Sequence, residues 1–228
     1  MLPIKPLYDT WTWNQDAGSW LIDCYLEQAF HSTQEINQWY ATSMTKTLEA
    51  FSHLARAWQV SFGASYEYQD RIKGCLLKWS PKESNQNYVE NILQTIREFP
   101  APIYELSIDV DLFVYIRTEK SPKQPIQAWV RIPHSEFNIS ARLDDVEALL
   151  WFSICHTLFE PGSKEYSPIT GPYPEEEFEG PLDNNELQLL NQPLLEKVLR
   201  RWEEYFGEIT EVDGIPGIYK YGFLVEPY

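Results

Sequence analysis

The sequence has few of the features that mark secreted, membrane-bound or disulfide-linked proteins. Its three cysteines, Cys24, Cys75 and Cys155, are widely spaced and odd in number, which argues against a disulfide framework or a zinc ribbon. The first residues show no secretory-signal pattern, and the longest nearly unbroken apolar run, residues 148–155, falls far short of the roughly 20 residues that span a bilayer. We therefore expect a cytoplasmic protein of bacterial type, without a membrane segment or a lipid anchor.

The motifs that most directly reveal enzymes are also missing. The sequence contains no glycine-rich phosphate loop, no G-x-S-x-G, no H-E-x-x-H and no C-x-x-C. His31, His53 and His134 are scattered, while Cys155 and His156 are neighbours that point to opposite faces of a strand and cannot form a nucleophile–base pair. We therefore predict no catalytic residue, no metal ligand and no cofactor.

Basic residues are few. The chain has 18 Lys and Arg against 34 Asp and Glu, a net charge of −16, and residues 151–228 hold 15 of the acidic but only 5 of the basic residues. A field of this sign repels phosphate backbones and anionic lipid headgroups and attracts basic proteins. We therefore expect no nucleic-acid or membrane partner and consider a basic protein partner, although solubility alone is the commoner reason for acidity.

Apolar and aromatic residues are plentiful by contrast. They make up 43% and 15% of the chain, which includes nine Trp and fourteen Tyr. This composition and length predict one globular domain over residues 1–228. We expect an irregular aromatic arm at 1–18 and a loop rich in Pro and Glu at 160–182 to flank its regular elements.

Helical periodicity is found in three segments. Apolar residues recur at spacings of three and four over about 33–62, with Ser32 or Thr33 as the N-cap. The same periodicity predicts a helix over 85–99 and another over about 192–206, which has a proline in its first turn. The first and third of these helices are long enough to cover a sheet.

Alternating apolar and polar residues predict an antiparallel sheet. The clearest strands are 104–117 and 126–132, a hairpin with a long loop whose second strand ends at Pro133. Residues 143–159 fit a helix or a meander of strands, and we favour the meander because β-branched and aromatic residues dominate after Leu150. Further strands are predicted at residues 20–27, 71–79 and 218–225. The predicted fold is α+β: an antiparallel sheet, a meander that includes the hairpin, covered by the first and third helices.

The polar face of the predicted hairpin is the first candidate site. Asp109 and Asp111 would lie on that face about 7 Å apart, where two carboxylates could bind a cation or act as acid and base. Ordinary solvent-facing acids are the commoner explanation. Phe113, Tyr115 and Trp129 share the face, and aromatic side chains mixed with charge are typical of protein-recognition patches. A helix lying over these aromatics is the alternative.

A second candidate site lies in the loop rich in Pro and Glu. Glu175, Glu176, Glu177 and Glu179 surround Phe178, so this segment could steer a basic surface and offer it one apolar anchor. A solvated acidic loop without a binding role is the simpler interpretation.

Three functions are compatible with these features. The leading hypothesis is a non-catalytic protein-binding module that covers a basic partner, as toxin-neutralising immunity proteins do. The alternatives are an enzyme of unrecognised type that uses Asp109 and Asp111 in a cleft, and a structural or assembly subunit.

Overall fold

The fold comes from a computed structural model of the chain. It describes residues 2–4, 18–154, 157–159, 164–165, 182–183, 185–214 and 218–223. Most of the expected aromatic arm at 1–18 and most of the loop at 160–182, including Glu175 to Glu179, lie outside the described residues, as do Cys155 and His156.

Three α-helices lie within the described residues: α1 (Thr33–Ala50), α2 (Asn85–Glu98) and α3 (Asn185–Phe206). The predicted N-cap of α1 is Ser32, whose hydroxyl oxygen accepts a hydrogen bond from the backbone N–H of Glu35 at 3.2 Å. At the other end of the chain, Gly207 follows α3 with a φ of +101°, a conformation that favours glycine. A one-turn 3-10 helix spans Thr157–Phe159. None of the helices in the described residues is long and apolar enough to cross a membrane.

The strands form one large antiparallel sheet and two small ribbons. The large sheet has seven strands in the spatial order β3 (Cys75–Lys78), β2 (Ala55–Ala64), β4 (Ile103–Thr118), β5 (Ser121–Ala141), β6 (Glu147–Ile154), β1 (Gly18–Tyr25) and β9 (Glu211–Gly214). The ribbons pair β7 (Lys164–Glu165) with β8 (Leu182–Asp183), and β10 (Ile218–Tyr219) with β11 (Gly222–Phe223). The predicted α+β fold with its antiparallel sheet is confirmed.

The apolar core lies between one face of the seven-stranded sheet and the helices. Phe51, which follows α1, contacts the rings of Phe137 on β5 and Phe152 on β6, with centroids 4.7 Å away in both cases. It also contacts Trp202 of α3 at 5.8 Å, and Ile92 of α2 is fully buried in the same cluster. Each large apolar side chain buried in this way stabilises the fold by about 1.5–3 kcal/mol, so all three helices are held on this face.

The first helix is shorter than predicted. α1 ends at Ala50 and β2 follows, where the spacing predicted one helix over 33–62. β2 contains a bulge between Ala57 and Gln59, which shifts its register against β4. The buried residues Ala57 and Val60 are therefore three apart, as they would be on a helix.

The loop of the main hairpin is also shorter than predicted. β5 begins at Ser121, which pairs with Thr118, so the turn has two residues instead of the eight expected. The prolines that suggested a loop, Pro122 and Pro125, lie where the register between β4 and β5 shifts. A proline in such a bulge removes no ladder hydrogen bond.

The same explanation holds for Pro133, which was predicted to end the second strand. β5 continues past it to Ala141. Between the pairs Asp111↔Arg131 and Asp109↔Glu136 the register shifts, and Pro133 lies in that bulge. The strand then pairs with β6, so residues 143–159 contribute a strand and the predicted meander is confirmed.

The C-terminal part differs from the prediction in two ways. α3 begins at Asn185, not at about 192, and runs through Pro193, which lies on its exposed side where water can hydrate the unpaired carbonyl group. The strand predicted at 218–225 does not join the large sheet. β9 takes that edge position, while β10 and β11 form their own ribbon.

Candidate interaction surface on the helix-free face

Within the described residues, one face of the seven-stranded sheet carries no helix, and we call it the helix-free face. On β4 the even-numbered side chains between 106 and 116 are buried beneath the helices. The odd-numbered side chains lie on the helix-free face, among them the candidate residues Asp109, Asp111, Phe113 and Tyr115. α1 therefore covers the opposite face from the one that carries the hairpin aromatics.

The two candidate carboxylates have separate partners. The carboxylate of Asp111 is fully buried and accepts hydrogen bonds from Arg131 at 2.7 Å and from Arg56 at 3.1 Å. Asp109 accepts a hydrogen bond from the side-chain amide of Gln59 at 2.7 Å. Because Asp111 is already neutralised by two guanidinium groups, its chemistry is that of a buried ion-pair centre.

Tryptophan rings cover both guanidinium groups. Arg56 lies between Trp79 and Trp129, at 4.7 and 4.2 Å from the ring centroids, and Arg131 lies 3.9 Å from the centroid of Trp58. A guanidinium group is planar and weakly hydrated, so it can stack on an aromatic ring while its N–H groups bind a carboxylate. We call the following set the arginine–tryptophan cluster: Arg56, Arg131, Asp111, Trp58, Trp79 and Trp129.

The arginine–tryptophan cluster joins three neighbouring strands. Arg56 is on β2, Asp111 on β4 and Arg131 on β5, as directly opposed register partners. Phe113 adds a further ring contact to Trp129 at 5.1 Å. Each guanidinium group in the cluster lies beside the carboxylate of Asp111, and the two cations and one anion together leave one net positive charge.

The backbone of the candidate residue Tyr115 is bound by α3. Among the described strands, none pairs with the outer side of β4 beyond Leu112, and the side chain of Asn191 pairs with this free edge. Its Oδ1 accepts from the N–H of Tyr115 at 2.7 Å, and its Nδ2 donates to the carbonyl of Tyr115 at 3.0 Å. Sequence reasoning missed Asn191, whose one signal is a polar residue on the buried side of an amphipathic helix.

The other end of the helix-free face, on β6, β1 and β9, is different. Tyr25 is 77% exposed, Leu149 42% and Trp151 43%, which are high values for large apolar side chains. The strand register places Asp23 opposite Leu149 and Glu147 opposite Tyr25. We call the following set the acidic aromatic patch: Leu21, Asp23, Tyr25, Glu147, Leu149, Trp151, Glu211 and Asp213.

In the described residues, the strands that carry the acidic aromatic patch supply no basic residue to offset its charge. On β1, β6 and β9 no Lys or Arg occupies a helix-free-face position. Within the described part of the chain, none of the carboxylates of Asp23, Glu147, Glu211 and Asp213 forms an ion pair. A small recess of about 70 Å³ lies beside the ring of Trp151, and Glu211 and Asp213 line it. The patch therefore combines an exposed apolar surface with uncompensated negative charge.

The sequence did not reveal this patch, although it contained the signal. Leu149 and Trp151 are apolar residues at positions of residues 148–158 where strict alternation would place polar ones. In the structure they face outward from β6. The other predicted acidic feature, Glu175 to Glu179 around Phe178, lies outside the described residues.

Metal chemistry and known relatives add no further candidate. Across the described ranges, no group of three or more His, Cys, Asp and Glu side chains is arranged to hold a metal ion. No family model matches the chain, and no curated protein or solved structure is significantly similar to it. The two regions of the helix-free face are thus characterised by their own geometry and charge.

Proposed function

We propose that this chain is a non-catalytic protein-binding module that covers a basic partner with its acidic aromatic patch. The observation that carries the proposal is the exposure of Tyr25, Leu149 and Trp151 among carboxylates that have no ion-pair partner in the described residues. A toxin-neutralising immunity protein is the type of module that fits, because it binds by covering a basic surface.

The apolar residues of the patch have the character of interface anchors. Trp and Tyr are enriched among the residues that dominate binding energy, since each buries a large area with few rotatable bonds. The patch has two such residues, Tyr25 and Trp151, together with the exposed Leu149. Cross-strand neighbours such as Leu21 and Trp151 hold each other in place, which makes the surface firm.

The carboxylates give the surface its preference for a basic partner. Four negative charges without compensating Lys or Arg attract a cationic surface over distances of about the Debye length, roughly 8–10 Å. The recess beside Trp151 has room for the end of a Lys or Arg side chain, which could contact the ring face and the carboxylates of Glu211 and Asp213 together.

The geometry of the candidate acid pair favours binding over catalysis. Asp111 is held by Arg56 and Arg131, and Asp109 by Gln59, so neither carboxylate is placed to share a proton or a substrate with the other. The assembly-subunit hypothesis differs from the proposal in its partner, which would be a second copy of the chain. Repulsion between two identical acidic patches opposes that alternative.

Affinity capture with patch variants tests the proposal. The full chain is immobilised, exposed at low salt to an extract of the organism that encodes it, and eluted with increasing salt. We expect one basic protein, retained in stoichiometric amount, whose affinity falls at least tenfold with Trp151→Ala. The control is Tyr66→Ala, which removes an exposed ring (72%) outside the patch and is expected to leave this binding unchanged.

Other outcomes contradict the proposal. An acidic or neutral partner, or a basic one that binds Trp151→Ala as tightly as the natural chain, would show that the patch is not the binding surface. Sedimentation of the purified chain checks the alternative, because a stable homodimer that Trp151→Ala dissociates would support the assembly subunit.

A further inference from the structure

A groove opens at the other end of the helix-free face from the acidic aromatic patch. It lies between residues 65–74, which connect β2 to β3, and the neighbouring strands β4 and β5. Two adjoining cavities of about 560 Å³ and 310 Å³ form it, and both are lined by Tyr66 and Tyr104. Together they have the size of a site for a small organic ligand.

Uncharged polar side chains line one part of the larger cavity, beside apolar groups. Ser61, Ser107 and Asn138 form one row of register partners across β2, β4 and β5, and Gln69 faces them from the connecting segment. Glu105 is the one charged residue among the lining residues, and no Lys or Arg lines this cavity. In this cavity a phosphate or another anion would meet a carboxylate without a counter-charge, which disfavours anionic ligands. The smaller cavity adds one charged residue of each sign, Glu67 and Arg142.

Hydrogen bonds orient some polar side chains of this row, and several of the side chains can form further hydrogen bonds. The carboxylate of Glu136 accepts from Asn138 Nδ2 at 3.1 Å and from the hydroxyl of Ser107 at 3.4 Å. Asn138 therefore keeps its amide oxygen available as an acceptor. Within the described residues the side chains of Ser61 and Gln69 have no hydrogen-bond partner, so donors and acceptors converge on the same space.

Two tyrosine rings supply the apolar contact that such a ligand needs. Tyr66 is 72% exposed, although its ring packs on that of Tyr104 with centroids 5.2 Å apart. The hydroxyl of Tyr104 accepts a hydrogen bond from Arg142 at 3.0 Å, which fixes its direction. An exposed ring held by a second ring presents a flat apolar surface, on which the C–H face of a sugar ring can pack.

We propose that this groove binds a neutral carbohydrate, with a pyranose ring against Tyr66 and its hydroxyl groups hydrogen-bonded to Ser61, Gln69 and Asn138. The combination of an exposed aromatic surface with amide, hydroxyl and carboxylate groups suits a polyhydroxylated ligand, which is both donor and acceptor at every hydroxyl. The site shares no residue with the acidic aromatic patch, so the proposal of carbohydrate binding is tested independently of the proposed protein partner.

The test exposes the labelled full chain to a printed array of neutral and charged glycans, and then titrates the strongest-binding glycan by calorimetry. We expect neutral glycans to bind, and Tyr66→Ala to lower the affinity about tenfold or more. Gly63→Val is the second variant. A Cβ at Gly63 meets no protein atom within 4 Å and Gly63 lines the larger cavity, so the new side chain should block the groove without disturbing the fold.

Tyr25→Ala is the matched control, since it removes a similarly exposed tyrosine (77%) from the acidic aromatic patch and should leave glycan binding unchanged. Circular dichroism confirms that each variant is folded. Absence of any bound neutral glycan, a preference for sulfated or sialylated glycans, or an unchanged affinity in Tyr66→Ala and Gly63→Val would each overturn the proposal.

Discussion

The arginine–tryptophan cluster and the acidic aromatic patch occupy the same helix-free face and are built from similar residue types. Both combine aromatic rings with charged groups. In the cluster, Asp111 lies between Arg56 and Arg131, and the rings cover the guanidinium groups. In the patch, the carboxylates have no cation beside them in the described residues and the rings are open to solvent.

The difference shows that aromatic and charged residues on one face do not by themselves indicate a binding surface. What separates the two regions is whether the charges are compensated within the chain. Paired charges such as those of the cluster bind one another and leave little capacity for a partner, whereas an uncompensated set adds repulsion to the fold and retains its capacity for binding. The predictions below follow from that contrast.

The largest effect is expected from removing the charge at the centre of the cluster. Asp111→Asn leaves two guanidinium groups close together without their carboxylate, and should lower the free energy of unfolding by about 3 kcal/mol. Urea denaturation followed by circular dichroism measures this. The control is Asp109→Asn, where one hydrogen bond from Gln59 is altered and about 1 kcal/mol or less is expected. If both substitutions lowered the free energy of unfolding equally, the ion pairs of Asp111 would contribute no more to stability than the single hydrogen bond of Asp109.

A smaller loss of stability is expected when the positive charge at position 56 is kept but the planar guanidinium group is replaced. Arg56→Lys cannot reproduce the flat contact with Trp79 and Trp129, so we expect a loss of about 1–2 kcal/mol in the free energy of unfolding. Arg97→Lys on the exposed side of α2 serves as the control and should have no measurable effect. If Arg56→Lys also left the free energy of unfolding unchanged, the positive charge at position 56 would account for the contribution of Arg56 without its ring contacts.

Much of the scaffold of both regions could be predicted from the sequence. The alternation of β4 identified one covered face, and Ser32 identified the start of α1. Two of the errors, the length of the first helix and the end of the second hairpin strand, share one feature. Bulges at Ala57 and at Pro133 change the spacing of buried residues, and a spacing pattern cannot distinguish a bulged strand from a helix or from a strand that has ended.

The partners within the cluster could not be predicted in the same way. Arg56 and Asp111 are 55 positions apart in sequence, and they meet only because two bulged strands adopt one particular register. Register depends on the packing of the whole sheet, so local pattern does not determine it. The exposure of Trp151 could not be predicted from local pattern either, because it depends on what covers the second face of β6.

Aromatic residues in the two regions should respond to truncation in opposite ways. Tyr25→Ala is expected to change the free energy of unfolding by no more than about 0.5 kcal/mol, because the side chain is exposed, while weakening the basic partner's binding. Trp129→Ala removes a contact to Arg56 and should destabilise the fold by more than about 1 kcal/mol. Thermal unfolding and calorimetric titration of both variants separate the two roles. If Tyr25→Ala clearly lowered the free energy of unfolding, the patch would have a structural role.

The smallest expected effect is an increase in the free energy of unfolding. Neutralising the patch carboxylates together (Asp23→Asn, Glu147→Gln, Glu211→Gln and Asp213→Asn) removes mutual repulsion, so stability should rise by about 0.5 kcal/mol or less. The gain should appear in urea denaturation at about 0.02 M salt and vanish at about 0.5 M, since screening already suppresses the repulsion there. Asp70→Asn, an exposed acid far from the patch in sequence, is the control. A loss of stability would mean that these carboxylates have structural partners, and that the patch resembles the cluster.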